Sequence, residues 1–148
     1  MPRIIFDTLT ADVTATSAVA TINALADGSA TGVGQNYLNT AGDLYYNMYI
    51  DIAADAGATP WTVGDPIAEL YAIGGEATFL PAAAGLLRAE HLVATITAAT
   101  TGASAEYIIS GLPLSPHTLM FDIKNISGAA IDILHTTWRI HPYSLKTV

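Results

Sequence analysis

Hydrophobic and polar residues alternate with a period of two in several stretches of this chain. From Leu44 onward, Leu44, Tyr46, Met48, Ile50 and Ile52 fall on one face, and Tyr45, Asn47, Tyr49 and Asp51 on the other. Thr118 to Lys124 sets Leu119, Phe121 and Ile123 against Met120, Asp122 and Lys124, and His91 to Ala98 alternates again. That period belongs to strands half-buried in an antiparallel sheet. Further strands are predicted at Ala30–Leu38 (interrupted by Gly32 and Gly34), Pro66–Ile73, Glu106–Ser110, Ile131–Leu134 and Thr136–His141. Gly111, Pro113 and Pro116 are expected to end the Glu106 strand, because proline has no N–H to give a sheet. About eight strands at roughly 10-residue spacing, joined by Gly/Pro/Asn turns, predict a single all-β domain, an antiparallel β-sandwich or jelly roll. No fixed-period repeat suggests a solenoid or propeller.

The first 28 residues fit that scheme least, and are expected to form an extended N-terminal arm ahead of a sandwich spanning 29–148. Ile4, Ile5 and Phe6 give the arm an apolar tip. Ser17 to Ala26 has two readings. Val19, Ile22 and Leu25 at three-residue spacing suggest a short helical segment with Ser17 as its N-cap, while a strand pattern is weaker there. Asp27-Gly28 marks a turn. Thr78 to Ala89 reads as a long connection, with helical character around Leu86 to Glu90.

Composition changes the functional picture more than the fold. At 148 residues the chain can bury roughly 68–70% of its unfolded surface without a disulfide or metal. It is 51% hydrophobic but only 12% charged, about half the usual charged fraction. Such a balance implies apolar surface covered by a partner. Thirteen acidic residues against five basic ones give a net charge of -8, which repels phosphate backbones and argues against nucleic-acid binding. Cysteine is absent. Asp7 interrupts the apolar start before any signal-peptide core could form, and Thr78–Leu87 is too short to span a bilayer, so no membrane role is expected.

Chemistry finds little footing. Only His135 and His141 are near each other in sequence, and along an extended strand they would stand about 20 Å apart. Asp51, Asp55 and Asp65 could offer oxygens to calcium, but they lack EF-hand spacing, and Asp beside Gly is more often a turn residue. Gly32-Val33-Gly34 lacks the third glycine, the helix and the lysine of a nucleotide loop. No serine sits in a nucleophile elbow. Asn125-Ile126-Ser127 fits a glycosylation sequon yet reads better as a turn. The expectation is a protein that is not an enzyme, with no catalytic, cofactor or metal residues. Candidate interface residues are Ile4, Ile5 and Phe6 of the arm, and Tyr45, Tyr49 and Trp61, aromatics of the kind found at protein interfaces and sugar platforms.

The order of motifs also carries a resemblance. Leu25-Ala26-Asp27-Gly28, then Asn39-Thr40-Ala41-Gly42-Asp43-Leu44-Tyr45, is followed by a strand leading into Gly111-Leu112-Pro113-Leu114-Ser115-Pro116. Next come an alternating strand ending in Asn125-Ile126-Ser127-Gly128 and a last strand through Arg139-Ile140-His141-Pro142-Tyr143. Together, over roughly residues 22 to 143, these resemble a group of tailed-phage virion proteins, departing from it at His117 and at Ser115-Pro116. The resemblance implies a capsid decoration (cement) protein with a jelly-roll-like sandwich. It would be made in the bacterial cytoplasm, bind the major capsid protein on the head surface, and self-associate as a trimer. The alternative is a receptor- or carbohydrate-binding module of a phage tail or fibre.

Overall fold

The computed structural model describes residues 4–7, 13–14, 22–30, 35–54, 61–75, 88–99 and 105–147. The described strands are β1 (Ile4–Asp7), β2 (Val13–Thr14), β3 (Ile22–Leu25), β4 (Gln35–Leu38) and β5 (Tyr45–Ala54), then β6 (Pro66–Gly75), β7 (Leu92–Thr97), β8 (Ala105–Pro113), β9 (Thr118–Asn125) and β10 (Ile131–Thr147). One sheet runs β1-β10-β5-β8, with β2 and β3 also paired to β10; the other runs β4-β9-β6-β7. All of these pairings are antiparallel.

The connectivity has a simple logic. β3 pairs β10, β4 pairs β9, β5 pairs β8 and β6 pairs β7, each pair nested inside the one before. The chain is one long hairpin, rolled so that β10 also meets β5 and β9 also meets β6. Two packed sheets with this strand order form a jelly roll, the expected all-β class.

The inner faces are the ones the alternation predicts. Tyr46, Met48, Ile50 and Ile52 of β5 meet Leu70 of β6 and Leu119, Phe121 and Ile123 of β9, and all are buried. Ile131 and Ile140 of β10 complete the layer. Burying each such side chain contributes about 1.5–3 kcal/mol against leaving it in water.

Four local readings are corrected. Where the helical reading of Ser17–Ala26 overlaps the described residues, the chain is a strand. Ile22 pairs Ile133 and Leu25 pairs Ile131, with Ala24 at φ 52 taking up an extra residue. The three-residue spacing thus arises from a bulge, in which two positions paired to β10 are separated by two residues instead of one. β8 does not stop at Ser110. Gly111, at φ 73, forms a bulge opposite Asn47, and the strand continues to Pro113. Proline is tolerated there because β8 is an edge strand. The Leu114 N–H bonds the Leu44 carbonyl, so alternation turns the Pro113 nitrogen outward. Leu44 does not join the core; it is 57% exposed at the rim, ahead of the first residue of β5. Asp122, expected on the open face, is buried together with Tyr71, which stands opposite it in register. Around Leu86–Glu90 the described chain holds a 3-10 turn, Ala89–His91.

The residues expected to form the arm lie along β10 wherever they are described. β1, β2 and β3 pair successively with its residues 144–147, 139–140 and 131–133, making one broken edge strand.

Candidate docking surface

Two buried asparagines hold the two ends of the sandwich. At one end Asn39 donates from Nδ2 to the carbonyls of Asp43 (2.7 Å) and Ser115 (2.9 Å), and its Oδ1 accepts the N–H groups of Gly42 and Asp43. Its own N–H bonds the His117 carbonyl. The turn between β4 and β5 is thereby fastened to the proline corner between β8 and β9. At the other end Asn125 donates from Nδ2 to the carbonyls of Leu25 and Ala129, while Oδ1 accepts the Ser127 N–H. The Gly28 N–H reaches the Asn125 carbonyl, and the Gly128 N–H reaches Asp27 Oδ1. Four of the motifs singled out in the sequence are therefore halves of two contacts. Leu25–Gly28 meets Asn125–Gly128, and Asn39–Asp43 meets the Pro113–His117 corner. Nest geometry requires this, since the turns of paired strands fall at the same end.

The held scaffold presents a strip of aromatic and aliphatic side chains on the outer face of the larger sheet. Directly opposed residues of antiparallel strands share a face. Tyr45 stands between Pro113 and Tyr143 in register, and its half-buried ring stacks on that of Tyr143 with centroids 5.7 Å apart, leaving Tyr143 itself buried beneath the strip. Tyr49 stands between Ile108 and Arg139. Ile108 is 57% exposed, and Leu145, two residues beyond Tyr143, is 46% exposed. Phe6 is opposite Leu145, with Ile5 and Ile4 opposite Lys146 and Thr147. The fold thus brings Tyr45, Tyr49 and the Ile4–Phe6 strand onto one sheet.

Trp61 is not part of it. The indole is 4% exposed and belongs to the core at the Asn125 end, so it offers no stacking platform. Its loop is closed by Asp65, whose carboxylate accepts the Thr62 N–H at 2.8 Å, as a turn aspartate does. Sequence reasoning missed Tyr143, Ile108 and Leu145. Their signal lay in pairing with β5, which no single segment displays.

Two tyrosines have perturbed acidity. The Tyr71 hydroxyl donates to Glu69 Oε2 at 2.6 Å, and that bond, with burial and the carboxylate charge, pushes the phenol up to about 12. Burial alone pushes Tyr46 upward. Among the described residues no group of three or more His, Cys, Asp or Glu is placed to hold a metal ion. No described helix is long and apolar enough to cross a membrane.

These features define an all-β jelly-roll domain. The chain matches no protein-family model, no curated protein and no solved structure.

Proposed function

We propose that this chain is a structural virion protein, a decoration protein that binds the major capsid protein on the outside of a phage head and stabilises subunit junctions. The observation that carries the reading is the strip of exposed Ile108 and Leu145 with half-buried Tyr49 and Tyr45, apolar and aromatic on an otherwise acidic chain. Interfaces are enriched in such aromatics and depleted of charge at their centres. Burying the strip on the shell adds free energy that only assembled subunits receive, and many copies multiply it. The strand Ile4–Asp7 borders the strip at an edge of its sheet, where a neighbour's strand could add. Trimeric self-association belongs to this proposal as a consequence of capsid geometry.

Binding of the purified protein to empty shells of the major capsid protein from the same genome tests the reading. Saturation at a copy number comparable to the capsid subunits supports it. No binding, or a few copies per particle, overturns it and favours a tail or fibre module. That second reading draws on the jelly roll itself, an architecture of lectins as well as viral coats. Its stacking platform would be Tyr45 and Tyr49 without Trp61, and a glycan-array hit lost in Tyr49→Ala would establish it.

A further inference from the structure

β1, β2 and β3 lie successively along β10, yet the two sides do not match in length. Asp7 is opposite Ser144 and Val13 opposite Ile140, so the N-terminal side has two residues more than β10 in that interval. From Thr14 opposite Arg139 to Ile22 opposite Ile133 it again has two more, and from Ile22 to Leu25 opposite Ile131 one more. Pairing in register therefore cannot run unbroken from β1 to β3. On its other side β10 has a second support, since β5 holds residues 131–134 and 139–143. The end of this N-terminal segment is sharply defined. At Leu25 and beyond, the chain is fastened to the body: Asn125 Nδ2 donates to the Leu25 carbonyl, the Gly28 N–H reaches the Asn125 carbonyl, and the Asn125 N–H reaches that of Ser29. One residue earlier, Ala24 holds φ 52, a left-handed conformation that a Cβ disfavours. Every other described position with φ above zero is a glycine, namely Gly28, Gly42, Gly64, Gly111 and Gly128. Ala24 is kept there by β10 itself, where Asp132 Oδ1 accepts its N–H at 2.8 Å. Strain held at one residue beside an anchored turn marks a hinge.

We infer that the strands ahead of Leu25 are exchangeable: they swing about Ala24 and pair with β10 of a second copy of this chain. The occupant follows from the pairing already present. A β10 vacated by its own strands offers the register and side chains that an identical segment fits, and the bonds one copy gives up are remade on the other. Exchange also frees Ala24 from the left-handed conformation, because the segment leaving the body no longer has to turn back onto the same β10. Each copy then donates one segment and receives one, which ties neighbours together without any new surface. The inference stands apart from the capsid reading, since only copies of this chain take part.

The chain has no cysteine, so two single variants can report the exchange. Phe6→Cys and Leu145→Cys each place one thiol at positions opposite in register, and neither chain can bridge those positions alone. The two full-length variants are mixed, equilibrated and oxidised, and the disulfides are mapped by mass spectrometry. Exchange predicts a bond from position 6 of one chain to position 145 of the other. Ala24→Gly in both chains relaxes the hinge without removing a hydrogen bond, and should lower the yield about fivefold, because the closed form no longer carries the strain. Ala24→Pro fixes φ at about −65° and removes the N–H that Asp132 accepts, and should raise the yield. Bonds only between like positions, or none, overturn the exchange. A bond from position 6 to position 145 whose yield is unmoved by Ala24→Gly means that neighbouring ends touch without exchanging, and overturns the inference as well.

Discussion

The carboxamide of Asn125 donates a 2.7 Å hydrogen bond to the carbonyl of Leu25, a hundred residues earlier in the chain. Its other hydrogen bonds Ala129, its oxygen holds Ser127, and the side chain is fully buried. Asn125→Ala leaves two carbonyls and one N–H without this partner, and the expected loss is about 2–4 kcal/mol. Urea denaturation monitored by tryptophan fluorescence measures it. A loss under about 0.5 kcal/mol, the range of ordinary surface substitutions, would show that water replaces the amide at no cost.

Gly74 lies against Ser115 so closely that a Cβ on residue 74 would overlap the Cβ of Ser115. Gly74→Ala should therefore destabilise by about 1–3 kcal/mol through overpacking, although its backbone is not in the left-handed region. Ser115→Gly in the same chain removes the obstructing atom and should recover much of the loss. A double mutant no more stable than Gly74→Ala would mean that the strain lies elsewhere.

Much of this was legible in the chain and some was not. The inward faces of β5 and β9 follow directly from alternation, because a period of two survives any choice of partner. What escaped were features set by the partner. Ile22 and Leu25 mimic a helix because a bulge at Ala24 separates them. Pro113 looks like a strand end, yet an edge strand has one side free of the ladder. Trp61 sits in a Gly/Pro loop that suggests exposure, but the loop folds its indole into the core. Tyr45 and Tyr49 were visible as candidates, whereas Tyr143 joins them only through the register of β10 on β5.

Alkaline pH should single out Tyr71. Its folded-state acidity is weakened to about 12, above the ordinary phenol value of 10.0, first because its hydroxyl bonds Glu69. The neutral form is favoured in the folded protein, so this contribution is complete below about pH 10 and is lost as pH rises through about 12. Ultraviolet titration of the seven tyrosines should show late-ionising groups, and Glu69→Gln should move one of them earlier. An identical titration curve in that variant would remove Glu69 as the cause.

The outer strip yields a separable prediction. Ile108→Asp with Leu145→Asp alters two exposed side chains and should leave the thermal midpoint nearly unchanged, each site costing within about 0.5 kcal/mol. Shell binding should fall at least tenfold, because charge is introduced at both ends of an apolar contact. Undiminished binding by a folded variant would move the contact to another face.

The nesting of the strands also sets a timetable for synthesis. β6 and β7 are neighbours in the chain and can close as soon as both leave the ribosome. β1, made before the other described strands, pairs among the described residues only with the last residues of β10. At roughly 5–20 residues per second, β1 waits on the order of 10–30 s for its partner to be translated. During that interval the nascent chain displays Ile4, Ile5 and Phe6 without their β10 neighbour. The earliest-made of the described strands is thus the last to be sheltered, and a chaperone that engages nascent chains would find its longest opportunity there.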